Sequence, residues 1–172
     1  MNRNIPSIRP QDVVVLVKIL LEEDLTWTQT SLARSLFMSQ SEISESLSRS
    51  RYARLLYDKG RKVVRQSFMD LLEYGIPFIF PQQPGSVVRG IPTSHSASPL
   101  KEHILSEEHY VWPYVKGHVR GHSIQPLYYS VIQAVELDQY LYEMLALIDA
   151  LRVGKIREKN LALEILKKRI LS

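Results

Sequence analysis

The feature that most constrains the fold is the spacing of apolar and small residues within residues 30–49, TSLARSLFMSQSEISESLSR. Leu32 and Ala33 fit one face of a short helix, and Ile43 and Leu47 fit one face of a second helix. A small residue such as Ala33 lets the second helix pass close to the first at a steep angle. The pattern therefore predicts two short helices joined by a tight turn, with the polar side chains of the second helix pointing outwards.

The N-terminal part of the chain predicts four helices in all. Pro10 favours a helix start, and Thr26 or Thr28 can cap the helix that follows. Ser39 and Glu42 have the spacing of a capping box for the third helix. The first helix is apolar almost all round, which indicates burial on several sides. The predicted helices cover residues 11–25, 28–36, 39–51 and 61–74.

After the fourth helix, which a Gly-Ile-Pro sequence is expected to stop, the pattern changes. The segments PFIF, PQQPG and SVVRGI are typical of a β-hairpin that pairs residues 78–80 with residues 86–91. Residues 92–126 are rich in Pro, Gly, Ser and His, which predicts an irregular segment with Trp112 and Tyr114 anchored on the core. The expected fold is mainly α with a small β-hairpin, followed by this irregular segment and C-terminal helices.

Two helices are predicted at the C-terminal end, over residues 137–153 and 155–171, with Gly154 between them. One face of the first of these helices is apolar, and two interpretations of it stay open. It is either the interface of a homodimer or a part of the core that packs on the N-terminal helices. The residues at helical spacing on this helix are Tyr140, Leu141, Met144, Leu145, Ile148 and Leu151.

Positive charge is concentrated in two places, although the formal net charge is only +4. Residues 49–65 carry a single acid, Asp58, and a second basic cluster lies between Arg152 and Arg169. A basic segment that follows a helix is typical of phosphate binding, although many basic segments are simply solvated helix surface. The cations of the first segment are Arg49, Arg51, Arg54, Lys59, Arg61, Lys62 and Arg65.

Signatures of catalysis and metal binding are absent from the sequence. The chain has no Cys, which excludes disulfides, thiol nucleophiles and cysteine-ligated metal sites. It also lacks the glycine-rich phosphate loops and the HExxH zinc motif. His103 and His109 flank two acids, but histidines in a polar loop are more often surface residues than metal ligands. We therefore expect a protein that is not an enzyme and that holds no cofactor or metal.

Nothing in the sequence predicts a membrane segment. The longest apolar run is interrupted by Lys18 and ends at Glu22, which is too short to cross a bilayer. The N-terminal residues lack the apolar stretch of a secretory signal. A cytoplasmic location is the expectation.

The segment LARSLFMSQSEISESL resembles the helix-turn-helix of bacterial transcription regulators, in which the second helix lies in the major groove of DNA. Together with the predicted hairpin, the resemblance extends over roughly residues 10–93 and is to winged helix-turn-helix proteins, broadly MarR-like. Phe37 occupies the place where this family usually has Gly in a left-handed turn, so we expect a more helical turn here. The resemblance implies a DNA-binding domain at residues 1–93 and a linker with a helical dimerisation or packing region at residues 94–172.

The resemblance also implies which residues contact DNA. The outward-facing polar residues of the second helix would meet base edges, the cations after it would meet phosphates, and Arg89 on the predicted hairpin would reach the flanking groove. The predicted DNA-binding residues are Ser39, Gln40, Ser41, Ser44, Glu45, Ser48, Arg49, Arg51, Arg54, Arg61, Lys62 and Arg89.

The expected function is that of a sequence-specific transcriptional regulator, which binds double-stranded DNA as a homodimer through its C-terminal helices. Two half-sites are expected because one helix-turn-helix buries little surface. Two alternatives stay open. The helix-turn-helix could serve as a protein-interaction module, such as an antitoxin-type partner with secondary or no DNA binding, or the irregular segment could bind a small effector.

Overall fold

The first three helices contact one another and form the N-terminal part of the protein. They are α1 (Pro10–Leu21), α2 (Gln29–Leu36) and α3 (Gln40–Tyr52), close to their predicted bounds except that α1 ends before residue 25. Ala33 is buried in α2, as the crossing of two helices requires. The computed structural model of the protein describes residues 4–22, 24–57 and 59–172.

Side-chain caps define the starts of α2 and α3. The Thr28 hydroxyl accepts a hydrogen bond from the Ser31 amide at 3.0 Å. The Ser39 hydroxyl accepts one from the Glu42 amide at 3.1 Å, and the Glu42 carboxylate accepts one from the Ser39 amide at 2.7 Å. The predicted capping box is therefore confirmed, and it uses amides that a helix N-terminus leaves without partners.

The turn between α2 and α3 is left-handed, and our expectation of a more helical turn was wrong. Phe37 has φ 54° and ψ 40°. Its amide donates to the Arg34 carbonyl, and the Met38 amide donates to the Ala33 carbonyl at 3.0 Å. These two bonds are those of a Schellman motif, which requires a left-handed residue after the helix. The chain adopts this geometry without the usual Gly.

A short antiparallel hairpin follows α3 directly, where the sequence predicted the start of a fourth helix. It consists of β1 (Leu56–Tyr57) and β2 (Lys62–Val63), with Leu56 paired to Val63. Gly60 makes the turn possible with φ +79°. The predicted helix over residues 61–74 therefore begins only at Arg65.

The predicted hairpin over residues 78–91 does not form. The chain runs from α4 (Arg65–Asp70) through a π-helical turn (Leu71–Gly75) into α5 (Ile76–Ile79), so the Gly-Ile-Pro sequence does not stop the helix. Pro77 lies in the first turn of α5, where a proline has no helical hydrogen bond to lose. Residues 78–80 therefore lie in and just after a helix rather than in a strand.

Residues 86–91 belong instead to a three-stranded sheet, part of which lies in the segment that we predicted to be irregular. The strand β3 (Val87–Pro92) pairs antiparallel with both β4 (Tyr110–Pro113) and β5 (Val119–Ser123), and β4 and β5 are parallel. Trp112 in β4 is the anchor that we expected: it is fully buried, and its indole N–H donates to Asp149 at 2.6 Å. Tyr114 is half-buried.

The C-terminal helices complete the core. They are α6 (Val131–Leu137), α7 (Gln139–Val153) and α8 (Ile156–Leu171), and α7 contacts α1, α5, α6 and α8. The predicted apolar face of α7 is at most 2% exposed within this single chain, apart from Tyr140. It is core, so of the two interpretations left open for this face the structure bears out packing on the rest of the chain, and the homodimer stays a prediction.

One cluster of buried apolar residues runs from Val13 in α1 to Ile170 in α8. It includes residues from both sides of position 93. The division of the chain at that position stays a prediction.

Candidate nucleic-acid interface

The exposed face of α3 brings most of the predicted base-reading residues together. Ile43 and Leu47 are buried and point into the core, as their spacing predicted. The opposite side of the helix is exposed and carries no large apolar residue before Tyr52. The exposed residues on and just before this helix are Ser39, Gln40, Ser41, Ser44, Glu45 and Ser48.

Arg49 is not part of this exposed face, contrary to our prediction. Its guanidinium donates from Nε and Nη2 to the two carboxylate oxygens of Asp12, both at 2.8 Å. Asp12 is fully buried in α1, and Arg49 is only 9% exposed. A bidentate pair of this kind fixes the orientation of α3 on α1, and the buried Arg49 side chain faces Asp12 rather than a phosphate on the surface. Asp12 lies in the first turn of α1, directly before its apolar run, where an acid is common, so this residue was no clear signal of a buried cation.

Arg61 is also held within the protein. One of its terminal nitrogens, Nη2, donates to the carbonyl oxygens of Leu25 and Trp27, each at 2.5 Å. The guanidinium carbon lies 4.5 Å from the centre of the Trp27 ring, in a cation–π contact. Arg61 therefore ties the hairpin to the segment before α2. Its neighbour Lys62 lies in β2 and is half-buried.

The exposed cations at this end of α3 lie on the helix end and on the hairpin turn. Arg51 and Arg54 are exposed, and so is Lys59 in the turn between β1 and β2. None of the three forms an ion pair with an acid in the described part of the chain. A Cβ atom added to Gly60 would lie only 2.0 Å from Nε of Arg51, so the Arg51 side chain rests against the hairpin turn. Helix end and hairpin form one basic surface.

Sequence reasoning missed the hairpin and did not include Lys59 among the candidate contact residues. The signal was present in LLYDKGRKVV, where a short turn containing Gly separates two apolar stretches. Arg34 in α2 was also missed, because it lies outside the basic run; it is exposed.

The predicted position of Arg89 was wrong, because the hairpin that would have carried it does not form. Arg89 lies in β3, and its partner on β5 is Arg120.

The C-terminal part of the chain contacts α2 and α3 on both sides of the turn that joins them. The Tyr128 hydroxyl donates a hydrogen bond to the Glu42 carboxylate in the first turn of α3. The Ser130 hydroxyl, which is buried, donates to the Leu36 carbonyl at the end of α2, at 2.7 Å. Tyr128 and Ser130, which precede α6, thus form hydrogen bonds with residues on both sides of the Phe37 turn.

This contact changes the acidity of both partners. The hydrogen bond from Tyr128, followed by that from the Ser39 amide, lowers the pKa of Glu42 below its ordinary value. Burial, followed by the hydrogen bond to Glu42, raises the pKa of Tyr128. At neutral pH, Glu42 is therefore a carboxylate and Tyr128 a phenol, which is the state that the hydrogen bond needs. Glu42 is turned towards Tyr128 and Ser39 and is not a free acid on the reading face.

A cavity of about 780 Å³ lies between α1, α4, α7 and α8, and no residue of α3 lines it. Its charged lining residues have partners within the chain: Lys18 contacts Asp138 at 2.8 Å, and Arg65 donates to main-chain carbonyls at the end of α8. Within the described residues, no group of three or more potential His, Asp or Glu ligands could hold a metal ion.

Comparisons with known proteins do not identify the chain. No family model, no curated protein and no solved structure matches it. Among the residues that the structure describes, no helix combines the length and the apolar character needed to cross a membrane.

Proposed function

We propose that the protein binds double-stranded DNA sequence-specifically as a winged helix-turn-helix, with α3 in the major groove and the β1–β2 hairpin as the wing. The observation that carries this proposal is the surface of α3. The exposed polar residues of α3 are followed by the exposed cations Arg51 and Arg54 at the end of the helix and Lys59 on the hairpin turn. Polar side chains can form hydrogen bonds with base edges, and cations can bind the phosphate backbone. The left-handed turn at Phe37 supports it, because it is the turn that the resemblance implies.

Base reading falls to the polar residues in the first turns of α3. A Gln can donate to and accept from adenine at once, which makes Gln40 the leading candidate for a specific contact. Glu45 suits the amino group of cytosine. Its carboxylate lies 3.7 Å from the Arg49 guanidinium, so its position is supported from within the protein. Ser41, Ser44 and Ser48 can donate or accept.

Phosphate contacts fall to Arg51, Arg54 and Lys59, with Arg34 on the preceding helix. Arg51 and Arg54 follow the polar residues at the end of α3, and Lys59 and Arg34 lie on the neighbouring hairpin and on α2, so backbone contacts on several sides of the helix are available. Arg49 and Arg61 are left out of the set, because their guanidinium groups already have partners inside the protein.

The test compares a base-reading residue with a phosphate-binding one. We expect Gln40→Ala to lose about 1–3 kcal/mol on a selected site and little on a scrambled one. We expect Arg51→Ala to weaken binding to both DNAs alike and to reduce the slope of log K against log salt by about one unit. Binding is measured by fluorescence anisotropy over a salt series, with Arg157→Ala, an exposed arginine of α8, as the matched control.

Three results would contradict the proposal in different ways. Equal losses on both DNAs for Gln40→Ala would remove its reading role. Equal losses for Arg157→Ala and Arg51→Ala would show non-specific attraction. Wild-type binding that does not depend on salt, or no binding at all, would end the DNA-binding proposal.

Regulation of transcription by a homodimer on two half-sites is the wider form of this proposal. Its support is physical, because a single helix-turn-helix buries too little surface for tight binding. The interface must lie outside the buried face of α7. Sedimentation at micromolar concentration, with and without a symmetric duplex, decides between monomer and dimer.

A protein partner is the second candidate function, and one specific observation favours it. Tyr74, Phe78 and Ile79 are 68%, 78% and 48% exposed along the segment from the π-helical turn through α5. Large apolar side chains exposed on one short segment are typical of a contact surface. Phe78→Ser should abolish co-purification with the product of a neighbouring gene. Leu105→Ser, at an isolated residue that is 99% exposed, should not.

A further inference from the structure

Two arginines face each other across the ladder between β3 and β5. Arg89 and Arg120 are direct partners in the antiparallel register, and both are exposed. Directly opposite residues have Cβ atoms about 5 Å apart, and like charges at such positions destabilise a sheet. Two buried arginines of this chain are paired with acids instead: Arg49 with Asp12, and Arg152 with Asp149 at 2.7 Å.

No carboxylate neutralises this arginine pair. Among the residues that the structure describes, neither Arg89 nor Arg120 forms an ion pair. The reason lies in the sequence, because neither residues 74–101 nor residues 109–135 contain an Asp or Glu. The same surface gains further positive charge from Lys116, which is exposed in the turn before β5. The outer face of the sheet therefore carries a local excess of positive charge, which is complementary to the negative charge of a polyanion.

The positions of the two arginines are rigidly held. Their neighbours Gly90 and Gly121 are buried on the inner side of the strands. A Cβ at Gly90 would lie 2.0 Å from the Trp112 carbonyl oxygen, and one at Gly121 would lie 2.5 Å from the His109 carbonyl oxygen. The strands thus approach more closely than any side chain would allow. Because the backbone is packed this closely at Gly90 and Gly121, the strands cannot move apart to reduce the repulsion between the two arginines.

We propose that the face of Arg89 and Arg120 binds the phosphate backbone of the same DNA duplex, outside the base pairs that α3 reads. This inference rests on the proposed function. A duplex is favoured over other polyanions because chain connectivity keeps the two surfaces close. Arg120 precedes Tyr128 by eight residues, and Tyr128 contacts Glu42 at the start of α3. Eight residues span at most about 28 Å, which is less than one turn of the double helix, about 34 Å.

The experiment measures binding of the full chain to two duplexes that share one selected site. The short duplex covers about one helical turn, and the long one adds about one turn on each side. The variants are Arg89→Gln, Arg120→Gln and the double variant. Arg89→Lys with Arg120→Lys keeps the charge, and Arg157→Gln controls for net charge. Circular dichroism confirms that each variant is folded, as the exposure of these side chains predicts.

On the long duplex, each Gln substitution should lower the slope of log K against log salt by about one unit. On the short duplex, the same variants should bind like wild type. The Lys variants should retain the wild-type slope on both duplexes, because backbone contacts require charge more than shape.

The possible failures are distinguishable. A wild-type protein that binds neither duplex overturns the proposed function and this inference together. A double variant that keeps the wild-type slope on the long duplex overturns the inference alone. Equal losses on both duplexes place the arginines inside the α3 footprint and overturn the flanking contact. Loss of binding to phosphatidylserine vesicles, with DNA binding unchanged, would assign this face to a membrane surface instead.

Discussion

At the scale of single residues, the turn between α2 and α3 depends on a residue type that rarely adopts its conformation. Phe37 has φ 54°, and a left-handed backbone costs a non-glycine residue about 1–2 kcal/mol. Its side chain is 42% exposed, so core packing does not explain its presence. The conformation is held by the two hydrogen bonds that close α2 and by the caps of α3.

This conformation makes a prediction that depends on a comparison of two substitutions. Both Phe37→Gly and Phe37→Ala remove the ring, so their difference isolates the backbone. At a left-handed position, Gly should be more stable than Ala by about 1 kcal/mol, whereas in a helical turn Ala would be more stable by about that amount. Urea unfolding of the two variants measures the sign of the difference between their free energies of unfolding. A more stable Ala variant would contradict the left-handed turn.

The contact between Tyr128 and Glu42 predicts a pH-dependent contribution to stability. The lowered pKa of Glu42 stabilises the folded state above the ordinary value of 4.5, and this contribution is lost as the pH falls through the lowered value. Tyr128→Phe should therefore reduce the free energy of unfolding at pH 7 and have a much smaller effect at about pH 3. Urea titrations at the two pH values test this.

The control for that experiment is Tyr140→Phe, at a tyrosine that is 71% exposed. It should leave the stability unchanged at both pH values. An effect of Tyr128→Phe that is the same at pH 7 and at low pH would show that the hydroxyl acts through packing and not through the Glu42 carboxylate.

At the scale of elements, the ion pair between Asp12 and Arg49 joins α1 to α3. Both partners are buried, and each satisfies the charge of the other. A buried pair is costly to break from one side, because the remaining charge has no partner. The pair therefore sets the angle at which α3 presents its polar face, and it separates Arg49 from the neighbouring arginines that face solvent.

Arg49→Ala should therefore lower the free energy of unfolding by about 3–5 kcal/mol, because it removes the cation that pairs with the buried Asp12 carboxylate. Arg51→Ala, two residues further on at an exposed position, should change it by less than about 0.5 kcal/mol. Denaturant unfolding of both variants under the same conditions provides the comparison. Similar losses in the two variants would contradict the assignment of Arg49 to the core.

At the scale of the whole molecule, α7 lies at the centre of a core that N-terminal and C-terminal residues share. It contacts α1 on one side and α8 on another, and the apolar cluster extends over both. A shared core couples the α3 surface to the rest of the chain, and so do the contacts of Tyr128 and Ser130 at the Phe37 turn.

The shared core predicts one cooperative unfolding transition. Trp27 and Trp112 are 5% and 1% exposed and lie on opposite sides of position 93, so each reports on one part of the chain. In Trp27→Phe and in Trp112→Phe, the fluorescence of the remaining tryptophan should change with the same midpoint as the circular dichroism. Different midpoints within one variant would instead place a domain boundary near residue 93.

Much of the α2–α3 pair could be predicted from the sequence because its signals are local. The capping box needs only Ser39 and Glu42, three residues apart, and the buried positions Ile43 and Leu47 follow from helical spacing. The exposed residues of the candidate interface are those that remain on the other side of the same helix. Which arginines stay free could not be predicted in this way, since Arg49 meets Asp12 and Arg61 meets Trp27 across more than thirty residues.

The sequence by itself therefore determined the positions of α1, α2, α3, α7 and α8, because helical periodicity and caps act within a few residues. Only the tertiary structure decided that the hairpin follows α3, that residues 78–80 are not a strand, and that β3 pairs with β4 and β5. It also decided that the apolar face of α7 is core. Strand pairing and burial depend on partners that are distant in the chain, and a pattern of residues along one segment does not name its partner.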